Sequence, residues 1–141
     1  VLVIAKSAGE YEICYVLVGQ HRGRIWVGRL QQRQEGQPTS VEFDWKWVLA
    51  REERYGDILG FYHTHPAGLA KPSERDVCTM RAWVSCLGKP LLCVIESGVA
   101  LGAYSFASDE DDGQALAEVE RFPRKVVVAV DIRNPTGGAD D

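Results

Sequence analysis

The stretch His63-Thr64-His65-Pro66-Ala67-Gly68-Leu69-Ala70-Lys71-Pro72-Ser73-Glu74-Arg75-Asp76 decides how this chain is read. The chain has three histidines, and two of them stand here one residue apart. On a strand, side chains two apart project to the same face, so His63 and His65 can present imidazole nitrogens to one ion while Thr64 points away. Residues 58–63 (ILGFYH) have the strand character this needs. Pro66, Gly68 and Pro72 argue for a fixed loop with little regular structure. Ser73 then starts a helix in which Val77, Met80, Val84 and Leu87 form one apolar face, and Gly88 with Pro90 ends it. Asp76 falls in the first turn of that helix, and a strand-loop-helix path of this length can bring its carboxylate back to the histidines. Two His and one Asp make a three-ligand set, the number a catalytic zinc keeps while water takes the fourth position.

Amide hydrolysis at such a centre also needs a group that takes a proton and passes it to a leaving amine. Glu12 lies in residues 11–19 (YEICYVLVG), among residues that otherwise read as buried, where an acid calls for a purpose. Glu10 competes for the role, but its place beside Ala8-Gly9 reads as a solvent-facing turn. Ser73 can offer its hydroxyl to the oxyanion formed at an attacked carbonyl. Simpler readings exist for parts of the pattern. Ser73 with Asp76 is also a helix capping box. A lone His-x-His strand is more often structural, or it opens a hydrolase barrel of about 200 residues or more, which this 141-residue chain is too short to form.

Outward from the motif, residues 11–19 and 24–30 pair as a hairpin across a turn at residues 20–23, and residues 31–40 read as a loop. Residues 41–43 form a short strand. Asp44 caps a helix over 45–55 that stops at Gly56. Trp45, Trp47 and Tyr55 are expected to pack against the core or along the helix. Residues 91–95 and 99–106 make a second hairpin about Glu96-Ser97-Gly98. The acidic run 109–112 precedes an expected helix over 114–121, favoured by the helix dipole. A final strand over 126–132 leads into the polar residues 134–141, read as a disordered tail, in which Gly137-Gly138 is ordinary linker chemistry. Strands, helices and hairpins mix, so the fold class expected is α+β (mixed α/β).

Composition narrows the function. A chain of 141 residues, 45% hydrophobic, supports one domain. A net charge of −4 and the lack of a basic run interleaved with aromatics argue against nucleic acid as a partner. No apolar run reaches the ~20 residues of a membrane span, so no membrane association is expected. Cys14, Cys78, Cys86 and Cys93 form no CxxC pair and each lies in an apolar stretch, as buried reduced thiols do. A reducing cytoplasm is the location expected. The chain opens on Val1, which points to a trimmed start.

His63-Thr64-His65-Pro66, the gap of seven residues to Ser73, and Asp76 after a gap of two more together resemble the signature of the JAMM (JAB/MPN) zinc isopeptidases, with every fixed position present. The stretch 12–19 is similar to the family segment in which the catalytic Glu precedes a glycine, a leucine and a closing glycine, here with Tyr15 in place of the inner glycine. The likeness covers residues 12–106, and the short connections resemble those of the compact prokaryotic members. It implies a single MPN/JAB-like metallopeptidase domain over 1–133, with a central, mostly antiparallel sheet flanked by helices. His63, His65 and Asp76 would then hold one zinc ion, Glu12 would be the general acid/base, and Ser73 would stabilise the tetrahedral intermediate. The implied activity is hydrolysis of the amide after the C-terminal glycine of a ubiquitin-like protein, in deconjugation or precursor processing. Companion activating and conjugating enzymes are implied with it, in some prokaryotic members within antiviral gene clusters. The alternatives are a binding module of the same fold that does not cut, and a peptidase acting on a sulfur-carrier-like protein.

Overall fold

The computed structural model describes residues 12–36, 44–66, 68–122 and 126–131. β1 (Ile13–Arg22) and β2 (Ile25–Glu35) form a hairpin that turns at Gly23, where φ is 59°. Both strands run further than expected, through residues read as turn and loop. The ladder continues through Gln20↔Val27, His21↔Trp26 and Arg22↔Ile25. Its bonds are backbone bonds, so polar side chains at the outer end of a hairpin do not oppose them, and the His21 ring stacks 3.5 Å from Trp26.

Helix α1 (Trp45–Tyr55) has the expected ends. The Asp44 carboxylate accepts from Trp47 N–H at 3.1 Å, and Gly56 adopts the left-handed conformation. Val48 is buried and Trp47 packs against the core, whereas Trp45 and Tyr55 are exposed and stay outside the core. The Arg51 guanidinium covers Tyr55, 4.2 Å from its ring centre. β3 (Ile58–Thr64) follows and pairs antiparallel with β1. Helix α2 (Glu74–Leu87) carries the chain over to β4 (Leu91–Ser97), which lies parallel to β3. A parallel neighbour requires such a crossover. β5 (Ala100–Phe106), β6 (Gln114–Ala115), β7 (Glu118–Phe122) and β8 (Val126–Val130) complete one eight-stranded sheet in the order β6-β5-β4-β3-β1-β2-β8-β7.

The helix-flanked α+β arrangement expected from the sequence is overturned. The described residues are 49% strand and 23% helix, and the sheet curls into a half-barrel. Both described helices contribute to one core, where Val48, Met80 and Val84 meet Val16, Val18, Ile58, Phe61 and Ile95. The other face is covered by the sheet itself: Leu17, Trp26, Tyr62, Leu92, Val94, Val127 and Ala129 pack together, with Leu116 and Val119 against them. The curl is closed by backbone bonds from Leu116 N–H to Ala103 O (2.8 Å) and from Ala117 N–H to Val130 O (2.9 Å), which tie β5 to β8. The helix expected over 114–121 is therefore two strands. Period two wins there because Val119 turns in to the sheet core while Glu118 and Glu120 are exposed. Arg121 reaches back to pair with Glu96 at 3.2 Å. Glu10, the strand at 41–43, Ile132, the tail 134–141 and Gly137-Gly138 lie outside the described residues.

Two details of this fold give direct tests. Gly60 pairs with Leu92 of β4, and a Cβ there would stand 1.8 Å from Leu92 O, a backbone atom that cannot swing aside. Gly60→Ala is expected to cost about 3 kcal/mol, the upper part of the overpacking range, measured as a shift in the urea midpoint. The cysteines divide, against the expectation of four buried thiols: Cys14 and Cys93 are buried, Cys78 and Cys86 exposed. Burial, reinforced by the nearby Glu12 charge, pushes the Cys14 thiol up to about 12. Because the thiolate is the reactive form, a thiol reagent should titrate two groups quickly in the native protein and the other two only on unfolding.

Candidate metal centre

The site forms where β3 ends and α2 begins. Cys14 pairs with His63 across β1 and β3, and His63 faces the same side of the sheet as Phe61, toward the helix-covered core. His65 follows the end of the strand, its N–H held by Glu96 O at 2.8 Å. Asp76 arrives from the first turn of α2. That helix start is built by reciprocal capping: Asp76 N–H donates to Ser73 Oγ at 3.1 Å, and Ser73 N–H donates to Asp76 Oδ2 at 2.8 Å. Such a cap contributes about 1 kcal/mol, and here it also aims the Asp76 carboxylate.

Three ligand atoms converge. His63 Nε2 lies 3.1 Å from His65 Nε2. Asp76 Oδ2 lies 3.1 Å from His65 Nε2, and Oδ1 lies 3.2 Å from His63 Nε2. His65 Nδ1 faces Leu69 O at 3.1 Å. A carbonyl only accepts, so that nitrogen carries a hydrogen, and in the neutral ring Nε2 then presents a lone pair. A lone pair and a carboxylate oxygen in contact require a cation or a proton between them. His63 Nδ1 is buried with no hydrogen-bond partner, so the polar contacts of that ring run through Nε2 toward the other two ligands. Burial opposes ionisation of Asp76, but the hydrogen bond and charge of His63, with the bonds from Ser73, hold its carboxyl well below the usual range.

This donor set fits zinc. Two imidazole nitrogens and one carboxylate oxygen are common zinc ligands, and bonds of about 2.0–2.2 Å in a tetrahedral site give ligand-to-ligand edges of about 3.3 Å or slightly more, close to the separations seen here. Among the described residues His63, His65 and Asp76 are the one group of three or more His, Cys, Asp or Glu side chains gathered so closely.

Glu12 stands just before β1. Carrying the register Cys14↔His63 two residues further sets it opposite His65. Burial pushes its carboxyl above the ordinary value, while the charges of His63 and His65 pull it back and that of Asp76 pushes it up. The sequence reading gave no task to Thr64, yet its Oγ accepts from Ile13 N–H at 2.9 Å and anchors the chain beside Glu12. Leu69 O is a second contributor that residue types could not reveal, because every residue carries a carbonyl. Tyr15 packs on the opposite face from the histidines, against the core formed by the sheet's own curl, edge-on to Tyr62 at 5.9 Å.

No described helix is long and apolar enough to cross a membrane. A family model described as prokaryotic homologs of the JAB domain matches residues 1–108, which include His63, His65, Ser73, Asp76 and Glu12. No curated protein matches the chain.

Proposed function

Because the chain belongs to the family of prokaryotic JAB-domain homologs, we propose that it is a zinc-dependent peptidase that hydrolyses the amide after the C-terminal glycine of a ubiquitin-like protein. The observation that carries this reading is the convergence of His63, His65 and Asp76 on one point beside Glu12. Zinc, when bound by those three residues, would polarise the scissile carbonyl and acidify water.

The residues of the chain supply the rest. Asp76 stays ionised and needs no proton removed before it serves as a ligand. The Glu12 carboxylate takes the proton of the attacking water as the new carbon–oxygen bond forms. Ser73 carries the hydroxyl that donates to the oxygen on which charge develops. Its Oγ accepts from Asp76 N–H, and a hydroxyl combines acceptor and donor roles. On collapse the carbon–nitrogen bond breaks, Glu12 returns the proton to the leaving amine, and a glycine carboxylate and a free amine result.

The ubiquitin-like body is the part of this reading to test. Binding energy from a remote, unreacting body is available to lower the barrier at the amide. We expect kcat/KM for a reporter amide on an intact ubiquitin-like protein to exceed that for the same amide on its last five residues by at least ~10-fold. Equal values would assign the enzyme to short peptides instead.

A further inference from the structure

We infer that Ser97 and Tyr104 are positioning residues for the metal centre: they pin the loop between the histidines and α2 onto β4 and β5, and thereby hold the Leu69 carbonyl against His65. The inference rests on the reading of His63, His65 and Asp76 as metal ligands. Ser97 Oγ donates to Gly68 O at 2.8 Å, and Tyr104 OH donates to Ala70 O at 2.7 Å. These carbonyls flank Leu69, whose own carbonyl lies 3.1 Å from His65 Nδ1. Gly102 shapes the seat, since a Cβ there would come within 2.3 Å of Ala70 O and displace the loop. The Leu69 side chain is 70% exposed and contributes little to holding its own backbone. The described loop residues belong to no helix or strand ladder, so the two hydroxyls supply fixed bonds that regular structure would otherwise give.

The chemical consequence concerns which ring nitrogen of His65 carries the hydrogen. In the neutral ring, Leu69 O keeps the hydrogen on Nδ1, and the lone pair on Nε2 faces His63 and Asp76. With the loop released, the hydrogen is free to move to Nε2 and block the ligand atom. Outer-shell partners of this kind typically change metal affinity by 10–100-fold. Ser97 and Tyr104 act one bond further out, so each should matter less than a direct partner.

The test uses the whole chain in five forms: wild type, Ser97→Ala, Tyr104→Phe, the double variant, and Ser97→Thr, which retains the hydroxyl. The His65 tautomer is read by nitrogen-15 NMR on metal-free protein, from the limiting shifts of the neutral ring in a pH series. Zinc affinity is read by competition with a chromogenic chelator. We expect an Nδ1–H tautomer in wild type and a mixture in the variants. Zinc binding should weaken by about 3–10-fold for each single change and about 10–100-fold for the double, with Ser97→Thr restoring wild-type values. Zinc bound by wild type with equal affinity and tautomer in all variants would overturn this inference and leave the metal-centre reading intact. No zinc uptake by wild type would overturn both.

Discussion

A Glu12→Gln protein should bind zinc as wild type does and turn substrate over about 10²–10⁴-fold more slowly, the usual contribution of a positioned general acid/base. The substitution keeps shape and removes only the capacity to take a proton. Glu12 is set opposite His65 by the β1–β3 register, and Ile13 beside it is tied to Thr64 at 2.9 Å, so the glutamine should occupy the same place. Because burial holds the Glu12 carboxyl above its ordinary value, and the base must be ionised to work, wild-type kcat/KM should fall as pH drops through that raised value. The acid limb should be absent from the residual activity of Glu12→Gln. Steady-state kinetics with zinc content measured in parallel checks both statements, and an unchanged kcat would remove Glu12 from the mechanism.

His63→Ala should lose zinc more completely than any outer-shell change, beyond the ~10–100-fold range of such partners. His63 is buried at 5% exposure and offers Nε2 to both His65 and Asp76. Binding to the folded state alone stabilises it, by about 4 kcal/mol when the ligand is present at a thousand times its dissociation constant. Zinc should therefore raise the melting temperature of wild type and leave that of His63→Ala where it was. Each protein is compared with itself, so any stability lost with the ring itself drops out. His65→Ala should behave alike, and an equal zinc-dependent shift in either variant would move the metal elsewhere.

The parts of this molecule that sequence made legible are those whose signals are local. Asp44 and Gly56 frame α1, Ser73 and Gly88 frame α2, and caps of this kind depend on residues within one turn. The gathering of His63, His65 and Asp76 was legible because strand spacing and helix capping both act over a few residues. What was hidden is long-range. The half-barrel arises because β6 and β7 bridge β5 and β8, and the alternation of Val119 with Glu118 and Glu120 becomes decisive only once a partner strand exists. The acidic run at 109–112 suggested a helix start, yet Arg81 of α2 binds Asp111 O at 2.9 Å, and the Asp111 carboxylate accepts from Ala107 and Gly113 N–H, both at 2.9 Å. Those bonds make a turn. Cys78 and Cys86 lie among apolar neighbours in sequence but on the outer side of α2, where the helical period places them away from Met80 and Val84. The supports of His65 came from a backbone carbonyl and from hydroxyls on strands about thirty residues away, which no local pattern encodes.

The most direct measurement is release of a reporter amine from the terminal glycine of a panel of ubiquitin-like proteins by the zinc-loaded chain, the same chain after chelation, and the chelated chain resupplied with zinc. Turnover is expected on at least one member, with its loss on chelation and its return with one equivalent of zinc. Turnover that persists after the metal is removed, or a zinc-loaded chain that cleaves no member of the panel, would contradict the proposed zinc-dependent hydrolysis.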